Sequence, residues 1–136
     1  MAPTAPLVVD LDWTHDKRFA VTTAHHSFVV DGASVDGPSP VEMLGVALAG
    51  CMGIDVSYVL ARGRHEVRSL RAHLVAQRAD TEPRRFTAVT IAFTVEGAVP
   101  QAAADRAVQL SHEKYCSVWH SLRQDIELQV TCVITP

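Results

Sequence analysis

Charge is scarce and nearly balanced in this 136-residue chain: 20% of residues are charged, the net charge is −3, and no Lys/Arg block stands out. Nothing in that balance draws the chain to nucleic acid or to an anionic membrane surface. Arg62-Gly63-Arg64 and Arg84-Arg85 read as solvated loop ends. Aromatics make up 6% of the residues, and Trp13, Trp119 and Phe28 are too scattered to form a base-stacking platform. There is no Gly-rich phosphate loop, no zinc-type cysteine spacing and no nucleophile elbow. His25-His26 looks like a metal pair, but neighbours on a strand point to opposite faces. The longest apolar run, Met43 to Ile54, falls short of the roughly 18 residues a membrane span needs. It is expected as a buried helix. The opening Met1-Ala2-Pro3-Thr4-Ala5-Pro6 carries neither a basic stretch nor an apolar one, so no secretory signal is expected.

What is present suits one globular domain over residues 1–136, with 48% hydrophobic residues supplying the core. Leu7 to Trp13 alternates apolar and polar side chains, as a half-buried strand does. Arg18–Thr23 and His26–Asp31 read as two more strands, completing an antiparallel meander. Ser39 can cap a following helix, Pro40 suits its first position and Glu42 favours its dipole. That helix is predicted to reach about Ala61, with Gly63 as its stop. Its interior Gly45, Gly50 and Gly53 each cost about 1 kcal/mol relative to Ala, and close approach of another backbone is the expected offset. Val67–Gln77 and Phe86–Glu96 read as long strands, and Pro100–His112 carries helical spacing. A break near Glu113, a short helix over Cys116–Arg123 and a strand over Glu127–Thr135 follow. The order β-β-β-α-β-β-α-α-β is an α+β layout.

The chemistry on offer is thiol chemistry. Three cysteines, an odd number, in a chain without a visible export signal imply free thiols in a reducing, cytoplasmic compartment. Cys51 lies inside the apolar helix, where a cysteine commonly serves as a small hydrophobe. On a helix it shares a face with Leu44, Leu48, Asp55 and Tyr58, and Gly50, Gly53 and Ala49 leave room around its sulfur. Leu44, Leu48, Met52 and Ile54 would line an apolar substrate path beside it. Asp55 is awkward, because a carboxylate raises the pKa of a nearby thiol. Cys116 reads as the easier thiolate, with a helix start and Lys114 to stabilise its charge. His112 and His120, four positions either side, make a Cys/His metal site a rival reading. Cys132 sits in a strand and receives no role.

Three segments together carry a resemblance: Gly-Pro-Ser-Pro-Val-Glu-Met-Leu at 37–44, Ala-Gly-Cys-Met-Gly-Ile-Asp-Val at 49–56 and Glu-Lys-Tyr-Cys-Ser-Val at 113–118. They resemble the OsmC/Ohr family of hydroperoxide-reducing proteins, and within it an OsmC-like branch with a Lys-Tyr-Cys-Ser motif. The resemblance implies two central helices packed against antiparallel sheets in an intertwined homodimer. It implies a cofactor-free thiol peroxidase acting on organic, lipid-like hydroperoxides. Cys51 would be the attacking thiolate that becomes a sulfenic acid, and Cys116 the thiol that resolves it to a disulfide. A dithiol or lipoylated-protein reductant would restore both thiols. In the organic-hydroperoxide branch a Glu directly after the helix-opening Pro pairs with an Arg of the first strands. Here Val41 holds that place and Glu42 lies one step on, turned by about 100°, so neither Glu42 nor Arg18 is assigned to the site. That departure sustains an alternative: a non-catalytic binding or redox-sensing dimer on the same scaffold. Neither reading calls for a nucleic-acid or membrane partner.

Overall fold

The computed structural model describes residues 3–136. Met1 and Ala2, which open the segment read above for a secretory signal, lie outside the described residues. Two compact units are present, one ending at Leu44 and one spanning Gly45–Pro136.

The N-terminal unit is the expected meander. Strands β1 (Asp10–His15), β2 (Arg18–Thr22) and β3 (Ser27–Asp31) pair antiparallel in that order. The first strand starts later than predicted and is exposed along its whole length, so its alternation does not mark a half-buried face. A charged hub closes the meander. Asp31, almost fully buried, accepts backbone N–H bonds from Ala33 (2.9 Å), Asp36 (3.0 Å) and Val35 (3.3 Å). Arg18 Nε lies 3.1 Å from its Oδ2 and 2.8 Å from Asp36 Oδ2. The N–H donors of Asp36 and Ala33, outweighing burial, and then that of Val35 and the Arg18 charge, hold the Asp31 carboxyl down at about 2.

Helix α1 (Pro40–Arg62) opens with a reciprocal cap: Ser39 Oγ accepts the Glu42 N–H at 3.1 Å, and Glu42 Oε1 accepts the Ser39 N–H at 3.0 Å. The Ser34 hydroxyl also bonds to Glu42 Oε1. The helix ends with His65 N–H bonded to Leu60 O and Arg64 N–H to Ala61 O. In this Schellman-type end the left-handed residue is Arg64 (φ 60°), one place beyond the predicted Gly63.

In the second unit a three-stranded sheet runs β4 (Glu66–Arg78), β5 (Phe86–Ala98), β6 (Glu127–Thr135). Strands β4 and β5 pair antiparallel, with Gly97 at a bulge where φ is +148° and a Cβ would strike the Glu66 carbonyl. Strand β6 pairs parallel to β5, so the sheet is mixed rather than antiparallel as expected. The reason is the connection: α2 (Gln101–Leu110), one π turn (Ser111–Tyr115) and α3 (Ser117–His120) together make the long crossover a parallel pair requires.

The core combines Val89, Ile91, Phe93 and Val95 of β5 with Leu48, Met52, Val56 and Leu60 of α1. The α1 residues recur every four positions, a stripe down one helix face. Burying each such side chain is worth about 1.5–3 kcal/mol. The opposite face, with Val46, Ile54 and Tyr58, is exposed in the single chain, so within one protomer α1 buries only its core stripe. By length and composition α1 could cross a membrane, yet its buried stripe belongs to this core. Within the chain the helix glycines face side chains or open space. A Cβ on Gly45 would meet the Leu74 side chain at 3.5 Å, one on Gly53 the Phe93 ring at 3.5 Å, and one on Gly50, beyond its own helical turns, nothing within 4 Å among the described residues. Side chains, not a second backbone, lie against Gly45 and Gly53.

Candidate active site

Cys51 and Cys116, the two residues singled out by the sequence, come together. A carboxylate oxygen of Asp55 and the two Sγ atoms all lie within 4.8 Å of one another. All three cysteines are free thiols. Cys51 and Asp55 are one turn apart on α1, which aligns their side chains. The opposing elements are the π turn and α3. Cys116 N–H bonds to Ser111 O at 2.9 Å, the i→i−5 step that defines the wide turn. Ser111 and Cys116 thereby face α1 together: Ser111 Oγ donates to Asp55 Oδ2 at 2.7 Å, and Cys116 Sγ lies within 4.8 Å of Cys51 Sγ.

The electrostatics reverse one expectation. Cys116 does cap α3, with Trp119 N–H 3.3 Å from its sulfur. It is nevertheless fully buried, and its thiol is pushed up to about 11. Burial is the largest cause, partly offset by the Trp119 N–H, and the hydrogen bond and charge of Cys51 and then the charge of Asp55 raise it further. Lys114, expected to help the thiolate, instead lies 5.3 Å over the Tyr115 ring. Cys116 is therefore a proton-bearing thiol at neutral pH, not the easier thiolate. Cys51 is half-buried.

The Cys/His metal arrangement is not formed. The π turn breaks the helix that would have aligned the three residues. His120 Nε2 bonds to the His112 carbonyl at 3.0 Å, while the His112 ring meets Trp119 edge-on with centroids 5.7 Å apart. Cys132 is buried, and its thiol is pushed up by burial and by the Asp105 charge. Arg18 and Glu42 each have partners inside the N-terminal unit, the aspartates and the helix cap.

Leu48 and Met52 do not line a substrate path, for both point into the core, and Ile54 faces out on another side of α1. A cavity of about 590 Å³ opens instead beside Asp55, bounded by Tyr58, Val59, Arg62, Leu110 and Tyr115. Arg62 Nη1 donates to the Tyr58 hydroxyl at 3.1 Å, and its guanidinium lies over the Tyr58 ring. Sequence reasoning missed Arg62, although the helical stripe 51-55-58 continues to 62. It also missed Ser111, for which the sequence carried no local signal.

The family model of OsmC-like proteins matches residues 31–131. The chain is 41% identical over 119 residues to Protein YhfA of Escherichia coli strain K12, covering 85% of this chain and 89% of YhfA. A hypothetical protein from Aquifex aeolicus VF5 superimposes with a TM-score of 0.90 at 26% identity, over 97% of this chain and 98% of that one. The organic hydroperoxide resistance protein OsmC from Legionella pneumophila superimposes with a TM-score of 0.72 at 13% identity, over 97% and 99% of the two chains, a likeness of fold. By the family model over residues 31–131 and the identity with YhfA along most of both chains, the chain belongs to the OsmC-like family.

Proposed function

We propose that the protein is a cofactor-free thiol peroxidase that reduces organic, lipid-like hydroperoxides. The observation that carries this reading is the pair Cys51–Cys116, two free thiols with sulfurs within 4.8 Å beside an accessible cavity. The Cys51 thiolate attacks the terminal oxygen of ROOH. The O–O bond breaks, Cys51 becomes Cys–SOH, and the departing RO⁻ takes a proton to leave as ROH. The Cys116 sulfur then attacks the sulfenic sulfur. The neighbouring Asp55 carboxylate takes the Cys116 proton and hands it to the departing hydroxyl, which leaves as water, and a Cys51–Cys116 disulfide forms. An external dithiol, of the lipoylated-protein kind, exchanges with that disulfide, is itself oxidised, and returns both thiols.

The apolar atoms of Tyr58, Val59, Leu110 and Tyr115 suit a hydrocarbon substituent, and Arg62 suits a polar or anionic group on it. That a fold relative from Legionella is an organic hydroperoxide resistance protein supports the same chemistry. Free thiols accord with a cytoplasmic setting, and the uncovered face of α1 accords with a homodimer. The engagement of Arg18 and Glu42 within the N-terminal unit favours one rival, a non-catalytic binding or redox-sensing dimer.

The deciding experiment is multiple-turnover consumption of cumene hydroperoxide with dihydrolipoamide as reductant, read beside mass mapping of disulfides. Wild type is expected to turn over through a Cys51–Cys116 disulfide. Cys51→Ser is expected to be inert. Cys116→Ser is expected to react once and accumulate a dimedone-reactive Cys51. Wild type that oxidises without turnover would select the sensing reading.

A further inference from the structure

The three atoms that meet at the site are also a metal-ligand set. We propose that the reduced site binds one thiophilic divalent cation, Zn²⁺, through Cys51 Sγ, Cys116 Sγ and a carboxylate oxygen of Asp55, and that this metal-bound form is a closed state of the dithiol.

The separations suit three ligands of a tetrahedral site once the side chains draw in. Zn–S bonds of about 2.3 Å and Zn–O bonds of about 2.0–2.2 Å place tetrahedral ligand atoms about 3.3–3.8 Å apart. The two sulfurs and the carboxylate oxygen already lie within 4.8 Å of one another, so small side-chain rotations close the set. A supporting contact is built in: Ser111 Oγ, itself buried, holds Asp55 Oδ2 at 2.7 Å and leaves the other carboxylate oxygen for a ligand. Outer hydrogen bonds of this kind orient metal-binding carboxylates. Two sulfurs select zinc over the hard cations magnesium and calcium, which take oxygen-rich shells. Three protein ligands leave the fourth position to water.

Binding is ligand exchange without redox: each thiol gives up its proton as its sulfur ligates the cation, and no electrons move. One lone pair of each sulfur then binds the metal, whose charge draws density from the rest, so Cys51 is a poorer nucleophile. Oxidation acts the other way. One hydroperoxide and two protons convert the metal dithiolate into a disulfide, ROH, water and free Zn²⁺. The disulfide offers no thiolate, so the cation leaves. The metal site stands independently of peroxidase turnover, and only its blocking effect rests on that reading.

The test uses Co²⁺ as a spectroscopic probe on the fully reduced protein, then Zn²⁺ to displace it, with no peroxide present. Wild type and Cys132→Ser are expected to take one Co²⁺ per chain, with a thiolate-to-cobalt charge-transfer band that Zn²⁺ abolishes. Cys51→Ser and Cys116→Ser are expected to lose the band, and Asp55→Asn to weaken binding by about 10–100-fold. Protein preoxidised to the disulfide is expected not to bind. Absence of the band in wild type, its loss in Cys132→Ser, or unchanged affinity in Asp55→Asn overturns the proposal. Because the readout is an absorbance without turnover, its failure is separable from failure of the peroxidase reading. A wild type that binds Zn²⁺ yet keeps its full rate of oxidation by hydroperoxide overturns the closed-state part.

Discussion

Ser111 Oγ sits 2.7 Å from Asp55 Oδ2, joining residues that are distant in sequence but adjacent in the site. The contact depends on matched spacings. Cys51 and Asp55 are four apart on an α-helix, while Ser111 and Cys116 are five apart around a π turn. The wider turn lets Ser111 meet Asp55 while Cys116 lies beside both Cys51 and Asp55. An ordinary α turn would rotate Cys116 away from Cys51 once Ser111 was in place. Wide turns of this kind recur at functional sites.

Removing that hydroxyl should loosen Asp55 while sparing the thiols. Ser111→Ala is expected to cost about 1.5 kcal/mol, at the low end for a bond to a charged group, because half-buried Asp55 can take up water instead. Disulfide formation should slow by up to about tenfold as the carboxylate that receives the Cys116 proton loses its anchor. Stopped-flow Trp fluorescence after a single equivalent of hydroperoxide reads that step. A rate equal to wild type would show that Asp55 placement does not matter.

Cys116 should make the reduced protein sensitive to alkali. Its thiol is pushed from 9.0 up to about 11 in the folded chain, mainly by burial. Between those two values the folded state keeps a proton that the unfolded state has released. Stability is therefore fully present below about 9, falls as pH rises toward about 11, and levels off above it. Urea midpoints from pH 8 to 11.5 should show that fall in wild type and a smaller one in Cys116→Ser. Equal slopes in the two proteins would contradict the burial argument.

The sequence carried much of this architecture because its signals were local. Ser39-Pro40 and Glu42 mark the start of α1, and the break expected at Glu113 falls inside the observed π turn. Signals that depend on a distant partner were silent. Alternation in 127–135 says which residues face inward, not that β6 runs parallel to β5. Cys116 was read as a thiolate because its own helix start and Lys114 were weighed. Its burial and its neighbours Cys51 and Asp55, which decide the matter, come from folding. Ser111 shows nothing until a turn of uncommon width aims it at α1.

The Asp31 hub should govern acid stability. Its folded carboxyl titrates at about 2 rather than 3.8, so its contribution is present above about 4 and is lost as pH falls through about 2. Asp31→Asn keeps the shape but replaces an acceptor oxygen with a donor facing the Arg18 guanidinium and backbone N–H groups. The variant is expected to melt below wild type at pH 7, with the gap shrinking at pH 2. Thermal melts at the two pH values check this, and a gap that does not shrink with acid would rule out the charge as its source.

The outward face of α1 yields the last prediction. Val46 and Ile54 are each 70% exposed, and Tyr58 is 58% exposed, on a helix whose other face is buried in the core. Such a stripe is costly in water, and a second copy of the chain is the cover proposed here. In a two-fold dimer each residue counts twice. Burying Ile54 on both protomers would contribute about 3–6 kcal/mol at 1.5–3 kcal/mol each. Ile54→Glu should therefore weaken association by at least about 100-fold while leaving the core untouched. Gly50 supplies a control in the opposite sense. Beyond its own helical turns nothing among the described residues lies within 4 Å of an added Cβ, so Gly50→Ala in an isolated protomer should gain about 1 kcal/mol of helix stability. Across a close helix pair, Gly50→Leu should instead push the protomers apart. Sedimentation equilibrium is expected to give a wild-type dimer that both Ile54→Glu and Gly50→Leu dissociate. A monomeric wild type would leave the α1 face to some other cover, and a dimer indifferent to both variants would place its interface elsewhere.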